Sequence, residues 1–404
     1  MSKVLISFLG TGPRREDGTA LDYREATYQF TSGHQYKTPF VAAAIKKEFR
    51  TDKVILIGTM RSMWECVYNY FAGEQTNQAI WEELYLQREV SNHTTPISEI
   101  AHQQEVESVL GNGSKIIITH YGLTEEEIRH NSEIILGLEQ YLNKGDELII
   151  DITHAFRSLP MYIMNLLIYL QNVSEKQLKI EKICYGMLDV QSEYEDRHTP
   201  IVELNNIIEV NEWISGAYSF KRFGNADKIA ELVRPIDNAL SRNLLTFSDT
   251  KNLNHLAELE RQCASLGQIL NNSNLPLMAG MVIQPVIADF VRRLSVYQTG
   301  DYKHSKFQSK LARWQFNNKN YLAAYISLTE AIITYLAEDY SRDMGLDIDV
   351  FDKDERDAIK DKIKNRNELS IAKEWKVLYT DVSYKRNALA HNLRIDGGGR
   401  RNNN

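Results

Sequence analysis

Short apolar runs alternate with helix-period stretches over the first half of the chain. Val4–Leu9, Val54–Ile57, Ile116–Ile118, Leu148–Ile150 and Ile180–Tyr185 are rich in Val, Ile and Leu, and several end in a Gly or Thr turn. Such runs predict buried strands. Between them Pro39–Phe49, Ile97–Leu110, Glu125–Leu142 and Leu159–Leu170 carry amphipathic helical periodicity. Strands alternating with helices predict βαβ units around a buried parallel sheet, a Rossmann-like α/β domain over residues 1–210. His198–Leu204 reads as a further strand that closes it.

Beyond residue 210 the strand pattern fades. Helical periods run through Ile229–Leu245, Leu253–Ile269, Met281–Tyr297, Tyr321–Tyr340 and Tyr379–Leu393, so residues 211–396 are expected to form an all-α domain. Asn271–Pro276 and Gln298–Ser305 read as loops. The interleaved charges of Asp347–Asn367 read as a solvated face. Residues 397–404 read as a disordered low-complexity tail. No internal repeat is visible.

Composition narrows the function. The 404 residues are 43% hydrophobic and 25% charged, with net charge −7. That balance argues against a general nucleic-acid coat but leaves room for a local basic cleft. Three widely spaced cysteines without a C-x-x-C pair predict neither a disulfide framework nor a zinc ribbon. Ten histidines without H-E-x-x-H spacing give no metal-ligand pattern, and no metal or cofactor is expected. The N-terminal apolar run is too short for a signal segment and no stretch is apolar enough to span a bilayer, so a cytoplasmic location is expected.

In an open parallel sheet, ligands bind beyond the carboxyl ends of the strands. Those ends carry Gly10-Thr11-Gly12, Gly58-Thr59 with Arg61-Ser62, Asp151-Ile152-Thr153-His154 with Arg157-Ser158, and Gly186. Small residues admit a ligand close to the backbone, and hydroxyl and N–H groups can cradle phosphates. Any one of these is also an ordinary turn; three strand ends with the same chemistry form a pattern. Asp151-Ile152-Thr153-His154-Ala155-Phe156-Arg157-Ser158-Leu159-Pro160 resembles the D-x-T-H-G-x-R-x-x-P signature of CARF domains in CRISPR-associated proteins, with Ala155 where the signature has Gly. The Gly10–Gly12 and Gly58-Thr59 turns match as well. The resemblance implies a sensor of cyclic oligoadenylate that pairs as a homodimer about a two-fold axis, with ligand contacts at Thr11, Gly12, Gly58, Thr59, Asp151, Thr153, His154, Arg157 and Ser158. That symmetry favours an even ring; of the even rings, cyclic tetra-adenylate is expected ahead of cyclic hexa-adenylate.

Near the C-terminus, Arg386, Asn387 and His391 lie on a predicted helix. At about 100° per residue Arg386 and His391 are offset by roughly 140°, whereas Asn387 and His391 share a face. Metal-free RNA cleavage needs a group that moves protons near neutral pH and a guanidinium for the phosphate's developing charge. Behind a CARF-like domain, this Arg-x-x-x-x-His resembles the motif of HEPN ribonucleases, which implies catalytic Arg386 and His391 with Asn387 as the accompanying polar residue. Trp314–Phe316, Asn320–Tyr325 and Glu330 resemble the helical hairpin upstream of that motif.

The expected activity is therefore cleavage of single-stranded RNA by a metal-independent endoribonuclease that a cyclic oligoadenylate activates in antiviral defence, two helices meeting in a dimer or larger assembly. Two other readings remain open. One is a ring nuclease that degrades the messenger using Thr153, His154 and Arg157. The other is a ligand-controlled module that binds a protein partner. No basic recognition helix supports DNA binding.

Overall fold

The structure, a computed structural model, describes residues 2–12, 25–154, 159–271, 274–294, 303–365 and 371–391. Contacts gather the chain into two units, Met1–Asn211 and Glu212–Asn404.

The first unit is built on one sheet. Its strands are β1 (Lys3–Phe8), β2 (Ala26–Gln29), β3 (Gln35–Thr38), β4 (Lys53–Gly58), β5 (Lys115–Ile118), β6 (Glu147–Asp151), β7 (Lys179–Gly186) and β8 (Thr199–Glu203). They lie in the order β3-β2-β8-β7-β6-β1-β4-β5. The five strands from β7 to β5 run parallel, β8 is antiparallel to β7, and β2 and β3 form an antiparallel pair at the rim.

Side-chain alternation sends each parallel strand to two cores. Leu5, Val54, Leu56 and Ile149 face one side, against α1 (Val41–Phe49), α2 (Trp64–Ala72), α3 (Gln78–Val90) and α4 (Gln103–Leu110). Val4, Ile6, Phe8, Ile55, Ile57, Leu148 and Ile150 face the other, against α5 (Glu125–Leu136) and α6 (Leu159–Asn172). A sheet covered on both faces explains why its central strands read as continuous apolar runs.

The expected parallel sheet and its closing strand are present. Several expectations need correction. The pair β2 and β3 and the helices α2 and α3 were not expected. Glu125–Leu142 is α5 followed by a tighter 3-10 turn at Gly137–Tyr141. The helix expected from Ile97 starts at Gln103, after a left-handed His102.

The second unit has no strand among its described residues; α7 (Asn205–Phe223) leads into it and α8 (Asp227–Val233), α9 (Asn238–Asn252), α10 (Leu256–Asn271), α11 (Leu277–Leu294), α12 (His304–Asn317), α13 (Tyr321–Met344), α14 (Lys353–Lys364) and α15 (Lys373–Ala390) follow. The helix expected over Ile229–Leu245 is two helices. Pro235 cannot extend the first, and the Asp237 side chain accepts from the Leu240 N–H to begin the second. Most of the expected Gln298–Ser305 loop lies outside the described residues, and His304 and Ser305 already belong to α12. Residues 272–273 of the expected Asn271–Pro276 loop, residues 392–396 and the expected tail 397–404 also lie outside them.

One core of this unit spans α7 to α12 around the rings of Phe220, Phe247, Phe290 and Trp314, with centroids 5.0–5.7 Å apart. A second joins α13, α14 and α15 through Ile332, Ile333, Leu336, Ile359, Ile363 and Val382. The charged stretch Asp347–Asn367 is thus not solvated throughout. Arg356 donates to Glu330 Oε2 and Thr334 Oγ1 on α13, at 2.5 and 2.9 Å, and Ile359 and Ile363 are buried. No helix among the described residues is long and apolar enough to cross a membrane.

Candidate functional site

The chain order of the parallel strands sets where a crevice opens. From β1 the chain steps to β4 and β5 on one side, then returns to β6 and β7 on the other. The reversal lies between β1 and β6, the position at which loops leave a doubly wound sheet in opposite directions. Gly10-Thr11-Gly12 and Asp151–His154 leave the sheet there.

Asp151 closes β6 and is fully buried. Its Oδ2 accepts from the Ser7 hydroxyl of β1 at 2.5 Å. Its Oδ1 accepts from Thr153 twice, from the N–H at 2.9 Å and the hydroxyl at 2.5 Å. Thr153 Oγ1 in turn accepts from the Gly186 N–H at 2.8 Å, which ties the end of β6 to the end of β7. Burial raises the Asp151 carboxyl above the ordinary carboxylate range, against the lowering effect of these donors.

Next to β1, the end of β4 is equally closed. The Ser62 hydroxyl donates to the Leu9 carbonyl at 2.8 Å and accepts from the Thr59 N–H at 2.9 Å. The Trp64 indole N–H donates to the Thr59 carbonyl at 2.9 Å. A Cβ at Gly58 would lie 2.6 Å from Trp64 Cζ2 and 2.8 Å from Ser62 Oγ, so only glycine lets this turn fold back. Gly12 has φ +72°, in the left-handed region, and a side chain there would meet Met63.

The expected contact residues therefore divide. Thr11, Gly12 and Thr153 are half-buried and border the crevice. Asp151, Gly58 and Thr59 are buried behind them and hold the surrounding loops in place. Arg157 and Ser158 lie outside the described residues, as does Ala155. His154 is turned toward the interior. It borders a void of about 10 Å³ lined by Phe8, Leu9, Phe40 and Val67 among others, too small for a ligand.

Burial pushes the His154 imidazole below the ordinary histidine range, while the Asp151 charge opposes this. The folded state thus favours neutral His154. The stability this contributes is present above the ordinary value near 6.5 and is lost as pH falls through the lower folded value. Asp151, raised by burial, acts in the opposite sense, losing stability as pH rises through its raised value. The urea midpoint of wild type, measured relative to His154→Gln, is expected to fall between pH 7 and pH 5. A pH-independent difference would show that His154 does not titrate there.

Sequence reasoning missed two features of this edge. Ser7 sits mid-strand, and only the paired β6 reveals its carboxylate partner. His120, just past β5, has its Nε2 2.9 Å from His130 Nδ1 on α5. Applying the strand-end rule to β5 would have found it.

On α15 the picture is different. Arg386 falls on the helix face of Tyr379 and Val382, both buried against α13 and α14. Its Nε is buried and has no hydrogen-bond partner among the described residues. Asn387 and His391 are exposed and share the other face, with the His391 N–H donating to the Asn387 carbonyl at 2.9 Å. One α15 does not bring Arg386 and His391 onto one face.

Comparison with known proteins places the two units. Residues 4–188 match the family described as the CARF domain of the CRISPR system endoribonuclease Csx1, and residues 209–300 match the second domain of the CRISPR-associated protein MJ1674. MJ1674 of Methanocaldococcus jannaschii is 32% identical over 355 residues. The match takes in 84% of this chain and 55% of that protein, so the chain spans about half the length of this relative. The structure of Enterococcus italicus Csm6 bound to cyclic hexa-2'-fluoro-hexa-dAMP aligns over 98% of this chain and 89% of that one. Its TM-score of 0.32 at 12% identity is too loose a likeness to carry an argument. Sheet order, strand-end chemistry and the two matched segments agree in one likeness: residues 4–188 are similar to a CARF domain and residues 209–300 to the second domain of a CRISPR-associated protein.

Proposed function

We propose that this chain is a cyclic-oligoadenylate-activated, metal-independent single-strand endoribonuclease of type III CRISPR defence, acting in the cytoplasm as a homodimer or larger assembly. The ring, cyclic tetra-adenylate in preference to cyclic hexa-adenylate, sits over the crevice between β1 and β6. Thr11, Gly12 and Thr153 border it, Arg157 and Ser158 come shortly after β6 in the sequence, and Asp151, Gly58 and Thr59 fix the loops from beneath. Cleavage falls to Arg386 and His391, with Asn387 beside them.

The observation that carries the nuclease half is the state of α15. Arg386 Nε is buried without a partner among the described residues, which costs about 1–3 kcal/mol and is not what packing alone selects. Because one helix does not align Arg386 with His391, a second copy is needed to complete the pair. In the reaction a histidine takes the 2′-OH proton and the 2′-oxygen attacks phosphorus. The P–O5′ bond then breaks, and a protonated histidine returns a proton to the leaving oxygen. The guanidinium meets the charge on the phosphoryl oxygens. The ring acts by binding the cleavage-competent arrangement more tightly than the resting one.

Cleavage of a fluorescent single-stranded RNA in EDTA, with either ring or none, tests this. Cleavage dependent on cyclic tetra-adenylate is expected. Failure with both rings, accompanied by loss of the ring itself, would replace this reading with a ring nuclease.

A further inference from the structure

A chain of net charge −7 that cuts RNA needs somewhere to reverse that sign locally. Within the second unit, one pocket of about 440 Å³ does so. Lys221 and Arg222 from the end of α7, Arg293 from α11, and Lys310 and Arg313 from α12 line it against a single carboxylate, Asp289. That carboxylate is already held by Arg292 and Arg293, each at 2.6 Å. Lys221, Arg222 and Arg313 are exposed and enter no ion pair among the described residues. Five cations against one carboxylate leave the site with an excess of positive charge, which favours an anionic occupant.

The other flank of α12 has a different character. A second pocket of about 460 Å³ shares Lys310 and Arg313 and is otherwise lined by Ser309, Ala312, Phe316, Ala324, Tyr325 and Leu328. Phe316 is 50% exposed and meets Tyr321 edge-on at 5.2 Å. Helical spacing explains the division. Lys310, Arg313 and Asn317 follow one line along α12, and Ser309, Ala312 and Phe316 follow the next. Both volumes fall in the roughly 300–1,000 Å³ range of ligand sites.

A cationic ridge with a basic pocket on one side and an aromatic pocket on the other matches single-stranded nucleic acid, whose backbone and bases diverge to opposite sides. We propose that α12 is a grip for single-stranded RNA on residues other than Arg386 and His391. Phosphates lie against Lys221, Arg222 and Arg313, and a base lies against Phe316 and Tyr325. The grip rests on RNA being the substrate, and it holds the strand that the cleavage residues cut.

The test measures binding, not cleavage. A labelled oligouridylate, which contains no adenine for the sensor crevice, is titrated into the full chain by fluorescence anisotropy across a salt series. Arg222→Glu with Arg313→Glu is expected to weaken binding at least tenfold and to flatten the salt dependence by about 1.4, at roughly 0.7 per phosphate contact on single strands. Phe316→Ala is expected to weaken binding about tenfold with the salt dependence unchanged. Because these side chains are exposed, the milder Arg222→Gln with Arg313→Gln serves as a second variant with a smaller loss in the same direction. Wild-type affinity in all three variants overturns the grip. So does full competition by inorganic polyphosphate together with no effect of Phe316→Ala, which would mark a plain anion patch. If oligouridylate binds here while ring-dependent cleavage never appears, the nuclease reading falls and the grip stands.

Discussion

His391→Ala is expected to lower ring-stimulated RNA cleavage by about 10²- to 10⁴-fold, the span of a lost general acid–base group, while ring affinity stays unchanged. His391 is exposed at the C-terminal cap of α15 and its side chain supports no core, so its loss should not disturb folding. Arg386→Ala is expected to cost about 10²- to 10³-fold, as for removal of a group that stabilises developing charge. Arg386 also lies on the packing face of α15, so its thermal unfolding must be followed in parallel. Cleavage rates and equilibrium ring binding on the same preparations separate the two roles. A His391→Ala protein that cuts RNA at the wild-type rate would remove α15 from the active site.

Asp151→Ala is expected to destabilise the first unit by about 3–5 kcal/mol and to abolish ring binding. The carboxylate is the shared acceptor for the Ser7 hydroxyl and for both donors of Thr153, all at the seam of β1 and β6. Truncation leaves three donors facing a buried hole, each costing about 1–3 kcal/mol, less whatever water recovers. Asp151→Asn keeps the acceptor for Thr153 and lets the Ser7 hydroxyl turn to accept, so a loss of about 1 kcal/mol is expected. Hydrogen exchange of the β1 and β6 amides reports this locally, apart from the helical unit, whose unfolding need not be coupled. Equal protection in wild type and Asp151→Ala would show that the carboxylate does not hold the seam.

The central strands were legible because burial on both faces leaves an uninterrupted apolar word such as Val54-Ile55-Leu56-Ile57. The pair β2 and β3 was not, because Ala-Thr-Tyr-Gln and Gln-Tyr-Lys-Thr are four residues long and partly polar. Helix α3 hid for a related reason: only Leu84 and Arg88 of its thirteen residues are buried, and Arg88 is buried because it meets Glu65 of α2. The strand-end turns were visible as chemistry, but which of them face outward was not. Gly58-Thr59 and Gly10-Thr11-Gly12 look alike in sequence. What separates them is that Ser62 and Trp64 fold back over Thr59, a contact set by the close approach that Gly58 permits. Likewise the spacing of Arg386 and His391 gave their angular offset, but not that α13 and α14 would claim the arginine's side of the helix.

The outermost described strands, β3 and β5, share a property that bears on how copies of this protein can meet. Each is four residues long, β3 presents Gln35 and Lys37 outward, and β5 opens with Lys115, which is engaged by Glu107. Strand-to-strand joining requires a long, flat and uncharged border, and short borders carrying lysine discourage it. Joining of two copies into one continuous sixteen-strand ribbon is therefore disfavoured. A pairing through loops and helices, the surfaces that carry the crevice, would make assembly and ligand capture draw on the same ground.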